Sequence, residues 1–150
     1  MKTLGINLET GSLRYCVLEG TKKAPTLIEK DKLDINSATT TDALMNWYDS
    51  TFENIINRVQ PDAIGCRLAL NAKKNQIRYW YYPYGVLNGI AHKKGIPVTE
   101  YVTQNFTASK FGLTKGIDLF NHIDIVFGKN PPYWDKSQKN SMLSAWMLLG

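Results

Sequence analysis

Cysteine is scarce. Only Cys16 and Cys66 occur in 150 residues, with no C-x-x-C or zinc-type spacing, which excludes a disulfide framework and a structural zinc site. Both fall in β-forming runs, where buried thiols of a reduced compartment are expected, so a cytoplasmic location follows. A Cys66 nucleophile would need a partner base, and the sequence points to none. No apolar run approaches the roughly 18 residues of a membrane span. Met1-Lys2-Thr3 opens without the apolar stretch of a secretory signal, so no membrane partner is expected and the Asn105-Phe106-Thr107 sequon carries no meaning. Of the two histidines, His92 sits among lysines late in a helix and His122 precedes Ile123 in an amphipathic one; neither suits a ligand role. No nucleophile motif and no G-x-x-x-x-G-K-[ST] string occurs, which removes a serine-hydrolase triad and a P-loop. Internal repeats and low-complexity tracts are also missing.

What is present reads as one domain over 1–150, long enough to bury a core without staples. Charge is uneven: residues 1–60 carry 7 Lys/Arg against 8 Asp/Glu, and residues 61–150 carry 11 against 5. A basic second half suits a polyanionic partner. The chain opens with two β-forming runs, Thr3-Leu4-Gly5-Ile6-Asn7 and Leu13 to Gly20, flanking a polar Gly-containing break, which is a hairpin signal. A third strand is expected over 26–35, after a turn through Gly20 to Pro25.

Thr40, Thr41 and Asp42 offer caps for a helix whose apolar face is Leu44, Trp47, Tyr48, Phe52, Ile55, Ile56 and Val59, at spacings of three and four. Residues 63–70 read as a buried parallel strand, interrupted in character only by Arg67. A helix is expected over 75–94, disturbed by Pro83, with Gly85 and Gly89 giving close packing against a neighbour. A strand over 98–102, a weak helix over 103–111, a better one over 117–127 and a last, nearly all-apolar helix from Lys136 complete the chain. The order implies an α/β domain: a mixed five-stranded sheet, antiparallel meander plus parallel strands, with helices on both faces.

Three strings in register then carry a resemblance spanning nearly the whole chain. Leu4-Gly5-Ile6-Asn7-Leu8-Glu9-Thr10-Gly11, followed by Tyr15-Cys16-Val17-Leu18, is similar to an L-G-I-D-P-G-T opening and its G-Y-A-V-L strand. Gln60-Pro61-Asp62-Ala63-Ile64-Gly65-Cys66-Arg67 is similar to Q-P-D-x-x-A-I-E. Gly85-Val86-Leu87 through Gly95-Ile96-Pro97-Val98-Thr99-Glu100-Tyr101 is similar to a helix-to-strand passage ending P-V-x-E-Y. Together they resemble the RuvC-like resolvase branch of the ribonuclease H-like superfamily. Actin-like ATPases share the opening hairpin but need a second domain.

The resemblance implies four carboxylates around one or two divalent metals that activate water for phosphodiester cleavage. Here the first acid falls on Asn7 and the second on Arg67. The closing D-A-A-D pair, aligned through Leu143-Ser144-Ala145, falls on Gln138 and Ser141, and a basic residue of the preceding helix falls on Asp118. An Arg⁺ about 5 Å from Mg²⁺ repels it by roughly 6–7 kcal/mol at an effective dielectric of 20. The expectation is therefore a pseudo-nuclease without metal or other cofactor.

Three readings follow. The first is metal-free binding of nucleic acid, DNA before RNA, through Arg67, Lys73, Lys74, Arg78, Lys110 and Lys115, with aromatic side chains to stack on bases. The second is an active nuclease using Mg²⁺ or Mn²⁺ at a relocated site of Glu9, Asp118 and Asp135. The third is a homo-oligomer, a dimer in the first instance, joined through Tyr79, Trp80, Tyr81, Tyr82 and Tyr84.

Overall fold

The computed structural model describes residues 1–35 and 40–150. Five strands form one sheet in the order β3-β2-β1-β4-β5: β1 (Lys2–Glu9), β2 (Ser12–Gly20), β3 (Pro25–Asp34), β4 (Ala63–Arg67) and β5 (Val98–Tyr101). The first three make an antiparallel meander, while β4 and β5 join β1 in parallel. Gly11, at φ 84°, supplies the left-handed residue that turns β1 into β2. This is the mixed sheet expected from the sequence.

One sheet face carries Leu4, Ile6 and Leu8 of β1, Leu13, Tyr15 and Val17 of β2, and Ile64 and Cys66 of β4. It is covered by α1 (Thr41–Val59) and α3 (Tyr82–Lys94). Thr40 caps α1 by accepting from the Ala43 N–H, and Gln60, left-handed before Pro61, ends it. The other face is covered by α5 (Lys136–Leu148), with α4 (Leu119–Phe127) outside it. Helices thus lie on both faces, as two-sided burial of a partly parallel sheet requires.

Helix α5 approaches the sheet at backbone distance, and two glycines make that approach achievable. Gly5 and Gly65 are register partners in β1 and β4. A Cβ on Gly5 would lie 1.8 Å from the Ser141 carbonyl oxygen, and one on Gly65 2.4 Å from that of Ser144. The helix runs antiparallel to β1: Thr3 Oγ1 donates to the Ala145 carbonyl, Gly5 lies beneath Ser141, and Asn7 Nδ2 donates to Ser137 Oγ. Four helix residues rise about 6.0 Å and two strand residues about 6.6 Å, so the two elements stay in step.

Several expectations need correction. The strand expected to reach Leu70 ends at Arg67, where the Leu68 N–H turns to the Tyr101 carbonyl and Leu70 is exposed. The helix expected over 75–94 breaks at Tyr81 into a single turn, α2 (Ile77–Trp80), and α3, with Pro83 in the first turn of α3 where its missing N–H costs nothing. Gly85 and Gly89 do not pack closely, since a Cβ at either would meet nothing within 4 Å. The weak helix over 103–111 is two 3₁₀ turns, Thr103–Asn105 and Ala108–Phe111. Among the described residues no helix is long and apolar enough to cross a membrane.

Candidate functional site

Strand register aligns one row of side chains across the C-terminal end of β1. Lys32 pairs with Arg14, Arg14 with Asn7, Asn7 with Arg67, and Arg67 with Tyr101. Asn7 therefore sits between two arginines, facing the first turn of α5. Both ends of its carboxamide are engaged: Oδ1 accepts from Arg67 Nε at 2.8 Å and Nδ2 donates to Ser137 Oγ at 2.8 Å. Asn7 is only 1% exposed.

The two arginines live in different surroundings. Arg14 is 4% exposed and forms a bidentate pair with Asp135, Nη1 to Oδ1 at 2.7 Å and Nη2 to Oδ2 at 2.9 Å. Its Nε lies 2.8 Å from Glu9 Oε1, close enough for an ion pair although its N–H direction misses hydrogen-bond geometry. Burial pulls the Arg14 pKa down, but the Asp135 hydrogen bond and the Glu9 charge together hold it above the ordinary value. Arg67 has no acid in salt-bridge contact among the described residues, and its one hydrogen-bond acceptor there is Asn7. Burial lowers its pKa, opposed by Tyr84 and Glu9, yet a guanidinium stays charged at neutral pH.

Arg67 opens onto a cavity of about 390 Å³ lined by Asn7, Glu9, Thr10, Trp80, Ser137 and Asn140, among others. Trp80 is held there by its Nε1–H donating to Thr10 Oγ1 at 3.2 Å. The α5 wall is Ser137 and Asn140, spaced i, i+3 on one helix face. Gln138 and Ser141, which the sequence alignment put there, lie elsewhere. Gln138 is turned about 100° from Ser137 and donates from Nε2 to the Tyr15 carbonyl and to Ser141 Oγ. Ser141 Oγ donates back to the Gln138 carbonyl. Both are completely buried.

The acids of a relocated site are not gathered. Glu9 and Asp135 both serve Arg14, and Asp135 also caps α5 by accepting from the Gln138 N–H. Its pKa lies below the ordinary carboxylate value because Arg14 hydrogen-bonds it. Asp118 caps α4, accepting from the Phe120 and Asn121 N–H groups, and borders a different cavity with Phe106 and Leu143. Among the described residues no three His, Cys, Asp or Glu side chains are placed to hold a metal ion.

The basic residues divide into two sets. Lys73, Lys74 and Arg78 line one basin with Thr41, Ile77 and Tyr82. Lys110 belongs to the turn whose Phe111 packs at a tilt against Trp146, nine residues along α5 from Ser137, or about 13 Å. Lys115 is in the exposed segment beyond that turn; neither lysine lines the cavity or the basin. The aromatic run is not one interface. Tyr84 is 3% exposed and its hydroxyl donates to the Arg67 carbonyl. Tyr79 packs against the core, Tyr81 accepts from the Ala72 N–H, and Trp80 lines the cavity. Only Tyr82, 54% exposed, presents an open ring.

No family model matches the chain, and no curated protein matches it by sequence. Solved structures do match. Thermus thermophilus RuvC in complex with its Holliday junction substrate superposes with a TM-score of 0.77 at 15% identity, over 98% of this chain and 91% of that one. The yeast mitochondrial Holliday junction resolvase gives 0.60 at 11%, over 97% and 77%. The fowlpox virus Holliday junction resolvase gives 0.55 at 11%, over 99% and 94%.

The fold is that of the RuvC-type resolvases.

In a RuvC-like frame the cavity under Arg67 is where the resemblance places divalent metal, and the residues present do not fit one. Mg²⁺ needs anionic oxygen donors. The cavity offers the carboxamides of Asn7 and Asn140, the Ser137 hydroxyl and a guanidinium; its one carboxylate, Glu9, is paired with Arg14. The Asn7 side-chain oxygen is neutral and accepts from the Arg67 guanidinium, whose charge repels a cation. Sequence reasoning missed Arg14, Ser137, Asn140 and Thr10. An arginine inside an apolar β2 and the i, i+3 polar pair just after an Asp N-cap were the available signals.

Proposed function

We propose that this RuvC-like chain binds nucleic acid without cutting it, and that the Arg67 guanidinium supplies the positive charge that metal supplies in a resolvase. The observation carrying this reading is the Arg67–Asn7 hydrogen bond: a cation without a contacting acid among the described residues, held in the cavity by the residue onto which the resemblance puts the first acid. A phosphodiester oxygen is the natural partner for its remaining N–H groups, because arginine matches such oxyanions in shape and charge. DNA is the favoured polymer, since RuvC and the fowlpox resolvase are both known in complex with Holliday junctions.

A mobility-shift panel of four-way junction, duplex and single strands at two salt concentrations, with EDTA or Mn²⁺, tests it. Binding should persist in EDTA, weaken steeply with salt and yield no cleavage products. Binding that requires Mn²⁺, or strand scission abolished by Glu9→Ala, would instead support the metal-dependent nuclease reading. Self-association through the aromatic run has little exposed surface to use, and light scattering should report a monomer if Tyr82 is its only open ring.

A further inference from the structure

Helix α2 is a single turn standing between two recesses. Trp80 faces the Arg67 cavity, while Ile77 and Arg78 line the basin with Lys73, Lys74, Thr41 and Tyr82. Each recess pairs an aromatic ring with cationic side chains: Trp80 with Arg67 on one side, Tyr82 with Lys73 and Lys74 on the other. Lys73 and Lys74 are exposed and have no ion-pair partner among the described residues, and none of the described residues lining the basin is an acid. The Arg67 cavity, at about 390 Å³, has the scale of a small-molecule pocket and is far too narrow for a duplex. Asn7 is almost wholly buried, and a base that enters the cavity beside Arg67 and Trp80 must leave the helical stack.

We infer that the ridge formed by α2 is a track for an unpaired strand. One nucleotide enters the Arg67 cavity against Trp80, and a neighbouring one lies over the basin, with its phosphate near Lys73 and Lys74 and its base on Tyr82. The inference rests on the nucleic-acid reading above and adds the substrate class. Cations along a groove with rings at successive nucleotide positions are how sequence-tolerant single-strand sites work, because every base presents a π-face and every link a phosphate. Unpaired DNA and unpaired RNA share this chemistry.

Fluorescence anisotropy of the full chain with labelled oligo-dT, oligo-rU and a duplex of equal length, in EDTA, decides it. Single strands should bind at least about tenfold tighter than the duplex, and the stronger of the two strands identifies the sugar. Trp80→Ala and the double variant Lys73→Glu/Lys74→Glu should each weaken binding about tenfold. Trp80→Phe should restore most of the loss, which separates stacking from the Thr10 hydrogen bond. Lys110→Glu/Lys115→Glu, of similar charge change but lining neither recess, should cost much less. Thermal melts confirm that each variant folds. Duplex or four-way junction bound as tightly as single strands, or an unchanged Lys73→Glu/Lys74→Glu affinity, overturns the track while leaving Arg67-dependent binding intact. No binding of any nucleic acid overturns both readings.

Discussion

Arg14 and Arg67 occupy equivalent places on either side of Asn7, in one row of the sheet and under the same helix turn. Arg14 is surrounded by carboxylates and locks β2 to the start of α5 through Asp135. Arg67 meets a carboxamide and an open cavity. Identical side chains two strands apart in the sheet thus do opposite work: one charge is consumed by the fold, the other is left facing the cavity. Counting cations near a site is a poor guide to its electrostatics until their partners are known.

The comparison depends on α5 lying close to the sheet. Gly5→Val should break it altogether, because the added side chain must displace the Ser141 backbone; a loss above about 4 kcal/mol or failure to fold is expected in a urea melt. Below that in size, Arg14→Ala should cost about 3 kcal/mol, the lower end of the range for breaking a buried pair because Asp135 reaches solvent, with little effect on nucleic-acid affinity. Arg67→Ala should reverse the pattern, losing about 1.5 kcal/mol of stability for its charged hydrogen bond to Asn7 while affinity falls sharply. Equal stability losses from the two substitutions would erase the distinction.

A smaller effect sharpens the Arg14 half. The Asp135 pKa is depressed in the folded protein by the Arg14 hydrogen bond, so the pair's contribution is present above the unfolded carboxylate value of about 3.9 and is lost as pH falls through the folded pKa. Asp135→Asn keeps a competent helix cap but removes the charge. Its melting temperature should trail that of the parent at pH 6, and the gap should close below about pH 4. A constant gap across that range would mean the ion pair contributes nothing beyond the cap.

Much of the frame was legible in the residues. The alternation of β1 and β2, the apolar stripe of α1 and the unbroken run of β4 dictated the sheet, and the resemblance put Asn7 beside Arg67 in the parallel pair that the structure shows. The closing helix was harder. On a strand a one-residue shift swaps faces, but on a helix it rotates a side chain by about 100°, enough to send Gln138 towards β2 and bring Ser137 over Asn7. An alignment anchored on Leu143-Ser144-Ala145 cannot resolve that rotation, because α5 is buried almost all round. Arg14 escaped notice for a related reason: its partner Asp135 is 121 residues away, and only the fold brings them together. The aromatic run misled because its members were counted without their directions, and Tyr84 turns inward to the Arg67 carbonyl.

The account stands on Arg67 meeting a phosphate. Affinity for a single strand, followed against salt concentration in EDTA for the parent chain and for Arg67→Gln, measures that contact directly. The account predicts a shallower slope for Arg67→Gln by about one released counterion, with weaker binding throughout. Parallel lines, with the same slope and the same affinity, would show that the guanidinium beside Asn7 touches no phosphate.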